Sequence, residues 1–99
     1  YLQAIEDCDA RLSRVLDAIE VRQNERWLFV VTTDHGGSET GHGPQDADNQ
    51  TIFFGVGVSD RSIEVELGEP SHLDVTPTVL DFLKLPYDGL DGRGRLGAF

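Results

Sequence analysis

Methionine is absent from this chain of 99 residues, cysteine occurs once, and cations are scarce. Each shortage excludes something. With no methionine, Tyr1 is not an initiator, and since a helical pattern is already running there, the natural N-terminus is expected upstream. The lone Cys8 rules out an intramolecular disulfide, and its place among helix-spaced apolar residues predicts an ordinary buried thiol. Lys and Arg number 8 against 18 Asp and Glu, a formal charge of -10 with a pI near 4.4. Such a field repels phosphate backbones and anionic lipid, which argues against nucleic acid and acidic membranes as general partners. No apolar run is long enough to span a bilayer and no cleavable signal is visible. The compartment stays undetermined.

What is present fits one small domain, at the low end of size for a complete enzyme. From Leu2, the apolar residues Ile5, Cys8, Leu12, Val15, Leu16 and Ile19 recur at helical spacing, with Glu6, Asp7, Arg11, Arg14 and Asp17 between them. This predicts an amphipathic helix covering a sheet. Gln23-Asn24-Glu25 breaks it, Trp27 to Thr33 reads as a buried strand, and the glycine-rich acidic stretch from Gly36 to Asn49 as a loop. Thr51 to Val58 predicts a second strand, in which Gly55 and Gly57 leave space for close backbone or ligand approach. Ile63, Val65 and Leu67 alternate with Ser62, Glu64 and Glu66, the pattern of a short half-exposed strand near a sheet edge. Leu73 to Leu85 reads as a second helix with Pro77 near its start and Pro86 as its stop. Tyr87 to Phe99 has recurring glycines without periodicity, so residues 87–99 are expected to form an irregular tail that needs a neighbouring surface to become ordered.

This order of elements favours a layered α/β architecture over a bundle, and no internal repeat is visible. So few strands would leave much of a sheet's core open. Residues 1–99 are therefore expected to be a single partial domain, the C-terminal part of a larger one, or else to be completed by homo-oligomerisation or strand exchange.

The chemistry concentrates at Asp34-His35-Gly36-Gly37 and Gly41-His42-Gly43. In α/β folds, loops leaving the carboxyl ends of buried strands collect ligands and catalytic groups, and Asp34 and His35 occupy that position. In a regular strand adjacent side chains point to opposite faces, but where the backbone turns into Gly36-Gly37 both can reach one ion. His42, brought back by Ser38-Glu39-Thr40-Gly41, reaches the same ion or its neighbour. Mixed N/O ligation suits zinc or manganese better than calcium, and a closed structural zinc site would prefer thiolates this chain lacks. An open, catalytic metal site is the better reading. The field of the chain opposes a phosphate ester's approach, so bound metal would have to supply the local attraction. The bland alternative is that Asp followed by Gly is ordinary turn chemistry and a loop histidine a solvated side chain. His72 has a weaker claim, since ahead of a helix it can cap, pack or titrate. Glu39, Asp46 and Asp48 read as solvated loop charges.

Val30-Val31-Thr32-Thr33-Asp34-His35-Gly36-Gly37, then Gly41-His42-Gly43, Ile52-Phe53-Phe54, Asp74-Val75-Thr76-Pro77-Thr78-Val79-Leu80 and Leu90-Asp91-Gly92-Arg93 together resemble the C-terminal part of the alkaline phosphatase superfamily. The closest flavour is the type I phosphodiesterase and nucleotide pyrophosphatase branch. The resemblance implies a doubly wound three-layer α/β sandwich in which two divalent ions, commonly zinc, bridge a phosphoryl group at the carboxyl ends of the strands. Asp34 and His35 match the pair binding the metal next to the nucleophile, and His42 matches a histidine of the second metal. Two such ions roughly 4 Å apart clamp the attacking and leaving oxygens of an in-line displacement on a small phosphate ester. The family also needs a Thr or Ser nucleophile, a further Asp ligand and an Asp-x-x-x-His pair, none of which matches a motif here. The isolated chain is therefore expected to be inactive as a phosphoric ester hydrolase.

Sulfatases are similar but usually carry a lysine soon after the second histidine, and Pro44-Gln45-Asp46-Ala47-Asp48-Asn49 contains none. Cofactor-independent phosphoglycerate mutase and phosphopentomutase are minor alternatives, set back by a longer spacing to the next histidine. From another class, the chain reads as a non-catalytic acidic interaction module.

Overall fold

A computed structural model describes residues 1–37 and 50–99. Helix α1 spans Leu2–Glu20, where helix-favouring residues run without glycine or proline, and its end is marked by the Arg22 amide donating to the Ile19 carbonyl at 2.9 Å. Its boundaries follow the sequence pattern, but its burial does not. No residue of α1 is buried, Ile5 and Val15 stay more than half exposed, and Cys8 is exposed. The buried thiol and the helix covering a sheet are thus both corrected, because the described residues provide no sheet face broad enough to cover that apolar stripe.

Strands β1, Leu28–Thr32, and β2, Phe54–Val58, pair antiparallel, with Leu28 opposite Val58 and Thr32 opposite Phe54. β1 is half-buried rather than fully buried. The space at Gly57 belongs to neither backbone nor ligand: the ring of Phe29, its cross-strand partner, lies where a Cβ would stand. Beyond the ladder the Thr33 amide donates to the Phe53 carbonyl at 3.2 Å, and the Phe53 amide donates to Thr33 Oγ1 at 3.0 Å. The pairing therefore holds right up to Asp34.

The alternating segment from Ser62 to Leu67 forms no strand. It makes one isolated antiparallel bridge, Val65 with Leu96, and Ile63 is buried there at 4% exposure. Its partner is the tail, where the Glu66 amide donates to the Arg95 carbonyl at 2.8 Å and the Gly97 amide to the Glu64 carbonyl at 2.9 Å, one bridge that does not extend into a ladder. A 3-10 turn, His72–Asp74, leads into helix α2, Val75–Phe82, which packs against β1. Ser71 opens the turn with a capping box: its Oγ accepts from Leu73, and its own amide donates to the Asp74 carboxylate at 2.8 Å. The helix stops earlier than Pro86 would require, since Lys84 takes φ 56 and the Leu85 amide returns to the Leu80 carbonyl.

The tail is irregular, as its glycines suggest, and the surface that orders it is this chain's own. Arg95 is 3% exposed and Asp74 likewise 3%. The Arg95 guanidinium donates to Asp74 Oδ2, to the Leu67 carbonyl at 2.6 Å and to the Glu69 carbonyl at 2.8 Å. The Arg93 amide adds a bond to Asp74 Oδ1 at 2.9 Å, and the Arg95 amide donates to Thr78 Oγ1 at 3.1 Å. Gly92 is required here, because a Cβ would strike the Leu73 carbonyl. Burial alone pushes the Asp74 carboxyl upward; the Arg93 and Ser71 amides and the Arg95 guanidinium outweigh it and hold its pKa below the ordinary carboxylate value.

Candidate metal centre

β1 ends at Thr32, and the chain bends through Asp34 and His35 into Gly36-Gly37. This bend brings the two side chains together. The His35 amide donates to Asp34 Oδ1 at 2.9 Å, an Asx-type bond that turns the carboxylate toward its neighbour. Asp34 Oδ2 then stands 3.5 Å from His35 Nε2. Two ligands about 2.1 Å from an ion at tetrahedral angles would be about 3.4 Å apart, so this separation fits a shared ion.

The tautomer of His35 points the same way. Nδ1 lies 2.5 Å from the Gly36 carbonyl, which only accepts, so Nδ1 carries the proton and donates. In the neutral ring this places the lone pair on Nε2, which lies 3.5 Å from Asp34 Oδ2. A ligating imidazole is commonly held by a backbone carbonyl on its other nitrogen, which fixes both ring and tautomer. The Asp34 side chain is 88% exposed and that of His35 45%. By donor chemistry and spacing the pair fits a divalent ion.

Two ligands do not complete a site. Among the described residues no group of three or more His, Cys, Asp or Glu is placed to hold an ion. His42, with Glu39, Asp46 and Asp48, lies outside the described residues. His72 comes to the same corner by a different route: its Nε2 donates to the Thr33 carbonyl at 2.6 Å. That nitrogen is committed to backbone. The sequence left His72 open between capping, packing and ligation, and only the fold shows that it meets β1 from a position 39 residues along the chain.

The profile of the metalloenzyme superfamily matches residues 1–87. The chain belongs to this superfamily. That agrees with the alkaline-phosphatase-like resemblance of the motifs and with the mixed α/β character of the fold, and it supports the involvement of divalent ions. The chain is similar to the 2,3-bisphosphoglycerate-independent phosphoglycerate mutase of Mycoplasma capricolum subsp. capricolum, 27% identical over 83% of this chain and 16% of that protein. It is similar also to the enzyme of that name from Metamycoplasma hominis, at 30% over 85% of this chain and 17% of the relative, and to that from Mesoplasma florum, at 30% over 85% and 16%. The chain thus spans about a sixth of the length of the curated relatives it matches. No solved structure matches it. No helix among the described residues is long and apolar enough to cross a membrane.

Proposed function

We propose that this chain supplies part of the metal centre of a phosphoryl-transfer enzyme acting on small phosphate esters, with Asp34, His35 and His42 as ligands of divalent ions. The observation that carries this is the Asp34–His35 pair at the end of β1, 3.5 Å apart, with the imidazole tautomer set by Gly36. Zinc is the first candidate and manganese the second, because the donors are one carboxylate and imidazoles without thiolate. When bound, the ions supply the positive charge that a transferring phosphoryl group needs. The chain's own residues do the placing: Asp34 presents an anionic oxygen, His35 a neutral nitrogen, and the Gly36 carbonyl keeps the ring from turning away. No nucleophile is assigned within residues 1–99; a Thr or Ser, a further Asp and an Asp-x-x-x-His pair are placed in the remainder of the protein.

Hydrolysis of a phosphoric diester is the reading drawn from the motifs. The names of the relatives favour a second reading, movement of a phosphoryl group between positions of phosphoglycerate. The two share an in-line displacement and differ in the acceptor, water in one and a substrate hydroxyl in the other. Assaying the whole protein that contains this chain, loaded with zinc or manganese, separates them. Nitrophenol release from bis(p-nitrophenyl) phosphate, abolished by Asp34→Ala, supports the hydrolase; interconversion of phosphoglycerate isomers, abolished by the same change, supports the mutase. Neither activity in the metal-loaded protein would overturn the enzyme reading.

A further inference from the structure

His72 makes a contact that neither the capping of α2 nor the packing of the tail requires. Its imidazole Nε2 donates to the Thr33 carbonyl at 2.6 Å, and that carbonyl belongs to the same planar peptide unit as the Asp34 amide. Orienting the one orients the other, and with it the direction in which the Asp34 side chain leaves the backbone. The remaining polar atoms of Thr33 are held from the opposite side, its amide by the Phe53 carbonyl and its hydroxyl by the Phe53 amide. Thr32 Oγ1 also lies 3.2 Å from the Thr33 carbonyl, but its single proton has a nearer acceptor in the Phe53 carbonyl at 2.9 Å, so His72 makes the shorter contact to the Thr33 carbonyl. The ring itself stands on a rigid base, since the next turn is fixed by the capping box of Ser71 and the buried Asp74–Arg95 pair.

From this geometry we infer that His72 is a positioning residue for the Asp34–His35 pair: it orients the Thr33–Asp34 peptide by donating from Nε2, so that nitrogen faces backbone and not an ion. A ligating Nε2 could not carry that proton. The inference rests on the metal-centre reading for its purpose, but its geometry stands without any ion. Loss of such an outer partner typically weakens metal binding about 10- to 100-fold. Glutamine reaches about as far as a histidine Nε2 and can donate the same bond, so it should substitute.

NMR of the chain without metal reads the contact directly. The expected result is a His72 ring in the Nε2–H tautomer, displaced Asp34 and His35 amide signals in His72→Ala, and their return toward wild-type positions in His72→Gln. Zinc titration of the same proteins should then show weakened binding in His72→Ala, restored in His72→Gln. A wild-type His72 ring protonated only on Nδ1 would overturn the inference whatever the variants do. Unmoved Asp34 and His35 signals in a folded His72→Ala would do the same. Equal loss of zinc binding in both variants would make His72 a ligand. If instead no zinc binds even to the wild type while the amide signals behave as expected, positioning stands and the metal-centre reading falls.

Discussion

Asp74 sits 3% exposed and accepts hydrogen bonds from the amides of Ser71 and Arg93 and from the Arg95 guanidinium; the Asp34 side chain is 88% exposed and accepts from the amide of its neighbour His35. Asp74 lies where the 3-10 turn meets α2, and Asp34 in the bend after β1. The first is saturated with donors that cannot be withdrawn without opening the tail, so its charge is used up inside the fold. The second faces solvent with the His35 imidazole 3.5 Å away. A carboxylate surrounded by donors holds structure together, whereas the exposed one beside an imidazole is the one proposed to bind a cation.

This contrast can be broken in order of size. Asp74→Asn should be the most damaging change, since it leaves a buried guanidinium uncompensated at a cost of about 3–5 kcal/mol, read by urea denaturation. The sign with pH follows from its depressed pKa. The carboxylate stabilises the fold above the unfolded value of about 3.9 and ceases to do so as pH falls through the folded value, so wild type and Asp74→Asn should converge in acid. Equal stability of the two proteins at pH 7 would break the comparison at once. Gly92→Ala comes next: the added methyl meets the Leu73 carbonyl, and overpacking of that kind costs about 1–3 kcal/mol, visible as a lower melting temperature with loss of the Val65–Leu96 contact in NMR. Ser71→Ala removes the cap of the turn that carries His72 and should cost about 1 kcal/mol by the same denaturation measurement. Asp34→Asn should hardly change stability, staying within about 0.5 kcal/mol, while abolishing zinc binding. A large loss of stability there would assign Asp34 to the fold instead.

Much of the site corner was legible in the sequence because its signals are local. An apolar run from Leu28 followed by Asp34-His35-Gly36-Gly37 encodes a strand and the bend after it, and both form where expected. The extent of α1 was legible for the same reason, but not its exposure, since 3.6-residue periodicity reports which face is apolar and not what stands opposite. The Ile63–Leu67 alternation suggested an edge strand; what decides the matter is a partner, and the tail offers it a single antiparallel bridge, Val65 with Leu96, and no ladder. Arg95 was missed altogether. The run Gly92-Arg93-Gly94-Arg95 carries no periodic pattern, and the burial of Arg95 depends on Asp74, which is 21 residues away in the chain. His72 is similar: one histidine before a helix has several ordinary uses, and its bond to Thr33 exists only once α2 has packed on β1.

The most direct measurement is calorimetric titration of zinc into the chain and into Asp34→Ala, His35→Ala and His42→Ala at neutral pH. Saturable binding near one or two ions per chain, lost in Asp34→Ala and His35→Ala and weakened in His42→Ala, is the expected result. Binding retained in both Asp34→Ala and His35→Ala would contradict the assignment of this corner as a metal centre.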